Sequence, residues 1–319
     1  MLNFDSLKTA PRLLAQAELE PVQGTRFQPT GFPNLGAAVY TLPDGTDMLL
    51  VESAQSMANR LETVCWDEAR NDVVLCLKDM PYVRVVKGNN VLTNSLLEAH
   101  RLNSPYILGP KSSFNDFGEQ LRKAIDYRDD QPFSLDNLVR TLLKFDPCSL
   151  IHGVFLEKIA GVLRIQRSLS GFIEAAGARV AASGGVKRDR VMQSKAAGAK
   201  AEEGTGNIIF ARDEYVAEHI AAYFNLDLMQ IRAFGLGDVA ERFLIALALL
   251  KIQRFLDTGL RLRTACDLQV KGGLTVKRPE GFEVPSAAEL EKVLPELIKG
   301  VAKENLFANP PITQVNYKD

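Results

Sequence analysis

The run Ser183–Gly206, SGGVKRDRVMQSKAAGAKAEEGTG, constrains this chain more than any other segment. It interrupts two apolar, strand-like stretches with glycine, lysine and arginine, and it carries too little apolar surface to enter a core. From Ser183 to Lys200, Lys187, Arg188, Arg190, Lys195 and Lys200 stand against Asp189 alone, in a chain whose formal net charge is −1. A core built by this sequence must close without the run. Residue types leave two readings of it: a basic finger whose glycines let its cations reach a phosphate backbone, or a solvated surface loop.

With 46% hydrophobic and 24% charged residues over 319 positions, the chain can bury a sizeable core as one large domain or two. The near-neutral balance excludes a protein coated in basic charge, so any nucleic-acid surface is local. Acidic residues gather at Asp116–Asp136 and Glu280–Glu304, while lysine and arginine crowd Arg164–Lys200. Cys65, Cys76, Cys148 and Cys266 form no CxxC and sit in mostly apolar surroundings, which predicts reduced core residues in a cytoplasmic protein. The start, MLNFDSLKTAPRLLAQ, predicts no secretory leader. The most apolar run, Phe243–Leu250 between Arg242 and Lys251, is far short of the roughly 20 residues a bilayer requires and predicts a core helix, with no membrane partner.

Ala37–Glu52 predicts a hairpin turning at Leu42-Pro43-Asp44-Gly45, and Ser53 caps a helix expected to run to about Asn71. Asp116–Arg128 and Ser134–Lys144 predict helices separated by Asp129-Asp130-Gln131-Pro132, together a helical insertion. Gly153–Ile159 and Gly171–Ala181 are expected strands, and Ile208–Phe210 resumes extended structure. Asp213–Ala222 fits helix or strand, and Tyr223–Ile231 alternates as a strand. Asp238 is the expected N-cap of a long apolar helix that Gly259 breaks. Cys266–Val276 predicts a strand or a hairpin through Gly272-Gly273, and Ala287–Ala302 a final helix. This irregular mixture favours an α+β fold with helices on one face of a sheet over a doubly wound one.

Gly184-Gly185-Val186-Lys187-Arg188 lacks the spacing of a nucleotide phosphate loop. Phe234-Gly235-Leu236-Gly237 with Ala240 is a weak dinucleotide fingerprint, better read as a tight turn before a helix. Arg261 and Arg263 alternate on one face, where two guanidinium forks either grip phosphate or pair with carboxylates; Arg164 and Arg167 carry the same two readings. His100, His152 and His219 show no metal-ligand spacing, so neither a metal nor a cofactor is expected. Asp146 and His152 flank a Pro147 turn and fit either an acid–base pair or a cap with a buried histidine.

Several blocks together resemble one family. VESAQSMANRLE (Val51–Glu62), EAHRLNSPYI (Glu98–Ile107), FDPCSLIHGVFLE (Phe145–Glu157), SGGVKRDRV (Ser183–Val191), AYFNLDLMQIRAFGLG (Ala222–Gly237) and GLRLRTACDL (Gly259–Leu268) are similar to the RAMP-superfamily backbone subunit of type I-G CRISPR Cascade, formerly type I-U. The similarity runs over most of the chain. It implies an RRM-like (ferredoxin-like) palm with an antiparallel sheet, a helical insertion and a basic thumb loop. It implies many copies stacked along one CRISPR RNA as a right-handed helical filament, each thumb splaying out a nucleotide.

On that resemblance the chain divides into first palm strands (1–52), palm helix and insertion (53–150), palm strands (151–182), thumb (183–206) and remaining palm (207–319). Ser53, Gln55, Ser56, Asn59 and Arg60 would line the palm groove. Ala58 and Asn59 stand where relatives often carry basic residues, which leaves Arg60 as the cation. With Arg164, Arg167, Ser183, Gly184, Gly185, Lys187, Arg188, Arg190, Arg261 and Arg263 they form the expected RNA-binding set. A guide-binding subunit must accept any spacer, so cations and hydroxyls should hold phosphate and sugar and leave base edges free. No RNP1 pattern is visible; Tyr223 and Phe224 are the nearest stacking candidates and are read rather as core residues. The implied partners are CRISPR RNA, target DNA through the guide, further copies of the chain and other Cascade subunits. The expected role is non-catalytic. The rivals are a RAMP ribonuclease acting through Asp189 and a metabolic enzyme binding phosphate at Gly235–Asp238.

Overall fold

In β1 (Arg12–Pro21), Leu13, Ala15, Ala17 and Leu19 face the core while Gln16 and Glu18 face away, the alternation of a strand covered on one side. The computed structural model describes residues 3–32, 34–110, 114–187 and 208–317. After β1 come the hairpin β2 (Val39–Thr41) and β3 (Asp47–Glu52), helix α1 (Ala54–Thr63), then β4 (Tyr82–Lys87) and β5 (Asn90–Asn94). Helices α2 (Asp116–Ile125) and α3 (Leu135–Phe145) lead to β6 (Leu169–Ala176), the ribbon β7 (Arg179–Lys187) and β8 (Ile208–Val216), and β9 (His219–Asp227). Helix α4 (Asp238–Thr258), β10 (Arg261–Arg263), β11 (Cys266–Arg278), α5 (Ala287–Lys303) and β12 (Ile312–Asn316) complete the order.

The fold is mixed α+β. Its main sheet is antiparallel throughout, in the order β10–β11–β1–β9–β6–β3–β2. A separate sheet, β12–β4–β5, includes one parallel pair, β12 with β4. Helices α1 and α4 cover one face of the main sheet. Gly171 of β6 lets α1 approach, since a Cβ there would stand 2.9 Å from the Tyr223 carbonyl oxygen and 3.2 Å from Met57 Cγ. Every residue of α4 from Phe243 to Leu250 is buried, as expected of a helix apolar on all sides there. Truncating one of them, Leu247→Ala, removes about 2–5 kcal/mol. Packed against α4 is α5, opened by a reciprocal capping box between Ser286 and Glu289. In the insertion, Phe117 of α2 meets Phe145 of α3 edge to face at 5.4 Å.

Several sequence expectations are corrected. Helix α1 ends at Thr63 rather than near Asn71, because Trp66–Asp67 folds back on Asp72–Val73 with Asn71 at φ 51°. Helix α2 stops at Ile125, where Asp126 turns left-handed at φ 55°. Gly153–Ile159 gives only Val154–Phe155 as strand, paired with Arg164–Ile165. Gly171–Ala181 divides at Gly177, φ 63°, into β6 and β7, while Asp213–Ala222 is strand on both sides of a turn. Strand β9 ends at Asp227, whose carboxylate accepts from Gln230 N at 3.0 Å and caps a short helix, Leu228–Ala233, where extended structure was expected. The N-cap of α4 is Gly237 at φ 90°, and Asp238 is its first residue. Gly272-Gly273 makes no hairpin: β11 passes through as one strand, its register against β1 shifting between Ala17 and Leu19.

Candidate nucleic-acid interface

A carboxylate with no access to solvent must be paired, and Glu52, the last residue of β3, is fully buried. Arg60 Nε donates to its Oε1 at 2.9 Å, and the Ser56 hydroxyl donates to the same oxygen. Arg263 Nη2 donates to Oε2. Arg60 then spans to the Leu262 carbonyl with Nη2 at 2.6 Å, and Arg263 Nη1 reaches the carbonyls of Gln28 at 2.8 Å and Val51 at 3.3 Å. One buried carboxylate therefore ties the start of α1 to β10 and holds two of the expected cations at fixed orientation. Glu52 escaped the sequence reading because Ser56 and Arg60, four and eight residues on, read as guide contacts and its third partner, Arg263, is 211 residues away.

The faces of α1 separate cleanly. Ser53 Oγ accepts from Ser56 N at 3.3 Å as the N-cap, while Met57, Ala58, Leu61 and Glu62 turn inward. Gln55 and Asn59, one turn apart, are exposed, and Ser53, Ser56 and Arg60 are half-buried beside them. Arg167 joins this end of the helix through Nη1 to the Ala54 carbonyl at 3.1 Å; burial first, then the Arg101 charge, lowers its pKa. Arg164 stays exposed on its small hairpin, with its guanidinium 4.7 Å from the Phe155 ring centroid.

Beside α1 opens a cleft of about 350 Å³ lined by Arg60, Arg254 and Arg261 together with Thr63, Thr258 and Trp66. Arg254 was missed because it sits among apolar residues of α4. It is held by Nε to the Val64 carbonyl at 2.9 Å and Nη1 to Glu291 Oε1 at 2.6 Å. The pattern Arg261-Leu262-Arg263 places its two arginines differently: Arg261 is exposed at the cleft, Arg263 is drawn in to Glu52. Guanidiniums and hydroxyls converging on one cleft are chemistry for phosphate oxygens rather than for the edge of a base.

The expected thumb begins as structure. Ser183, Gly184, Gly185, Val186 and Lys187 belong to β7, paired with Arg212, Ala211, Phe210, Ile209 and Ile208. Here the glycines serve close approach between strands rather than reach: a Cβ on Gly184 would lie 2.5 Å from the Phe210 carbonyl oxygen. Lys187 is exposed at the end of the ribbon. Arg188, Asp189, Arg190, Lys195 and Lys200 lie outside the described residues.

Residues 13–180, more than half of the chain, match the family model of CRISPR-associated protein GSU0053. The chain belongs to that family. No curated protein matches it in sequence. Among solved structures it is similar to a chain of a CRISPR RNA-guided surveillance complex, pre-nicking, at 12% identity and TM-score 0.43, covering 96% of each chain. It is similar to another CRISPR RNA-guided surveillance complex chain at 12% identity and TM-score 0.40, covering 92% of this chain and 83% of that one. It is also similar to Thermofilum pendens Csc2 at 9% identity and TM-score 0.33, covering 93% and 79%.

In this GSU0053-family chain, Asp146 and His152 do not form an acid–base pair. Both are buried: Asp146 Oδ2 accepts from Ser149 Oγ at 2.8 Å, while His152 Nε2 lies 3.0 Å from Lys251 Nζ. Asp146 Oδ1 and His152 Nδ1 have no hydrogen-bond partner among the described residues. Burial, then the Lys251 charge, holds His152 well below its usual range, so the imidazole is neutral and accepts from the ammonium. Cys65, Cys148 and Cys266 are buried free thiols and Cys76 is half-buried, with burial pushing Cys76 up to about 12 and Cys266 up to about 11. Among the described residues no cluster of three His, Cys, Asp or Glu could hold a metal, and no helix is long and apolar enough to cross a membrane.

Proposed function

We propose that this chain is a CRISPR RNA-binding backbone subunit of a type I (Cascade) interference complex in the cytoplasm, holding the guide by its phosphate backbone without reading sequence. The observation that carries the reading is the buried Glu52, which fixes Arg60 and Arg263 where Arg60, Arg254 and Arg261 converge on one cleft. Membership of a CRISPR-associated family supports it. Ser53, Gln55, Ser56 and Asn59 supply small polar contacts for sugar and phosphate, Arg164 and Arg167 extend the basic track, and Ser183–Gly206 crosses the guide as a thumb.

The chain order β1, α1, β6, β9, α4, β11 with spatial order β11–β1–β9–β6 supports an RRM-like palm, α2 and α3 being its insertion and the ribbon β7–β8 the base of its thumb. The five divisions of the chain follow from that assignment. Copies stacked along one guide, beside other Cascade subunits, would hold it extended before target DNA pairs, so that the ordering cost falls on assembly rather than on recognition. The role is positional rather than catalytic: the acid–base candidates Asp146 and His152 are both buried.

RNA binding by the full chain, followed against salt, tests the reading. Arg60→Ala, Arg254→Ala and Arg261→Ala combined should weaken binding and flatten the slope by about 0.7 for each phosphate of a single strand that the variant no longer neutralises. An unchanged slope overturns the phosphate role of the cleft. Cleavage of complementary RNA by the assembled complex that disappears in Asp189→Ala overturns the non-catalytic role.

A further inference from the structure

The face of the main sheet turned away from α1 and α4 is not a plain solvated surface. Phe172 of β6 and Tyr223 of β9 are cross-strand partners there, and their rings stack at 5.1 Å with 27° between planes. Gln16 of β1 pairs with Tyr223 in register, and Asn225 stands between Leu14 and Ser170. These residues and Lys277 of β11 line a hollow of about 310 Å³. Asn225 Oδ1 is buried without a hydrogen-bond partner among the described residues. Lys277 is exposed at one end of the face. The acidic groups at the other end are already engaged: Glu174 accepts from the Tyr40 hydroxyl at 2.9 Å, and Glu18 pairs with Lys271 at 3.0 Å and lies 3.6 Å from His219.

An aromatic pair, two carboxamides that each donate and accept, a hydroxyl and one cation suit a planar heteroaromatic ring carrying a phosphate. We propose that this face binds an unpaired nucleotide of single-stranded RNA, its base against Phe172 and Tyr223, its edge toward Gln16 and Asn225, and its phosphate toward Lys277. The Ser170 hydroxyl both donates and accepts and so suits a ribose 2′-hydroxyl, which favours RNA over DNA. Carboxamides accept either polarity, so the site tolerates any base. It lies on the opposite side of the sheet from the arginine cleft and stands independently of the guide-binding reading.

The full chain is titrated with a short labelled single-stranded RNA, the same ribose-phosphate strand with abasic residues, and the matching DNA. The base-bearing RNA should bind about tenfold to a hundredfold tighter than the abasic strand. Phe172→Leu with Tyr223→Leu should erase that difference and leave the salt slope in place, while Tyr223→Phe retains it. Equal binding of the base-bearing and abasic strands by the native chain, or tighter binding of DNA, overturns the proposal. If the double variant melts early, photo-crosslinking of 4-thiouridine RNA to the native chain decides: adducts at Phe172 or Tyr223 support the site, and adducts only elsewhere overturn it. Cross-links joining two copies through Phe172 or Tyr223 without RNA assign the face to a second copy and also overturn it. Substitutions in the arginine cleft that flatten the salt slope but preserve the base-against-abasic difference separate failure of one reading from failure of the other.

Discussion

Arg101 closes on Glu62 with two hydrogen bonds, Nε to Oε1 at 2.9 Å and Nη2 to Oε2 at 2.6 Å, and both residues are buried behind α1. The helix that displays Gln55 and Asn59 outward is thus clamped from its inner side. Burial pushes Glu62 up to about 7 against the pull of Arg101 and then Lys251. Between the ordinary value of 4.5 and about 7 the folded chain keeps a proton that the unfolded chain releases. Stability from this group is therefore fully present below 4.5 and lost as pH rises through about 7.

Glu62→Gln removes that titration. Below about pH 7 the folded native carboxyl is itself protonated, so Arg101 faces a neutral partner in both proteins and their stabilities lie closest at low pH. From pH 4.5 to pH 7.5 the native chain should lose about 3 kcal/mol of stability relative to the variant in urea unfolding. His152, held low, titrates in both proteins and drops out of the difference, whereas Asp146, raised by burial, acts on Glu62 through its charge and contributes to it. A gap independent of pH would mean that Glu62 ionises as an exposed carboxylate does.

Local chemistry made much of the fold legible. The Leu42–Gly45 turn, the Ser53 cap, the helices expected over Ser134–Lys144 and Ala287–Ala302 and the apolar Phe243–Leu250 helix each depend on neighbours a few residues away. Period-two alternation carried Tyr223–Ile231 past its true end because a short helix of mixed residues imitates it; the Asp227-to-Gln230 cap was the available signal. At the interface the residue types were legible but their division of labour was not. Glu52 separates Arg60 and Arg263 from Arg261 through hydrogen bonds made across the fold, and Arg254 reaches the cleft from a helix whose other residues serve the core.

Glu52→Gln should cost about 3–5 kcal/mol, because two guanidiniums lose the carboxylate that compensates them in a half-buried site. Thermal unfolding measures it. Loss confined to RNA binding, with the melting temperature unchanged, would show that Arg60 and Arg263 find solvent without Glu52.

Arg261→Ala and Arg263→Ala should separate two arginines that the sequence presents alike. Arg261 is exposed at the rim of the cleft and its guanidinium is not tied into the Glu52 cluster, so its removal changes stability by less than about 0.5 kcal/mol. RNA affinity should fall with a salt slope lower by about 0.7. Arg263 holds Glu52 and the carbonyls of Gln28 and Val51, so its removal leaves a buried carboxylate short of a partner and lowers stability by about 3 kcal/mol or more. Equal stability of the two variants in chemical denaturation would refute this division.

Gly184→Ala should open the ribbon β7–β8 without unfolding the body. The added Cβ would meet the Phe210 carbonyl oxygen at 2.5 Å, a backbone atom that moves only if the strands part. At the adjacent Gly185 the nearest atoms would be the edge of the half-exposed Phe210 ring at 3.2 Å, which can swing aside. A two-stranded ribbon is marginal alone, and Phe27 ties this one to the body by exchanging backbone hydrogen bonds with Tyr215 at 2.9 and 2.8 Å. Amide hydrogen exchange should therefore show protection lost at 180–187 and 209–216 in Gly184→Ala, kept in Gly185→Ala, and unchanged in α4 for both. Because Lys187 rides on the end of β7, the first variant should also weaken RNA binding while the second does not. Protection retained in Gly184→Ala would mean that the strands lie farther apart than their register implies.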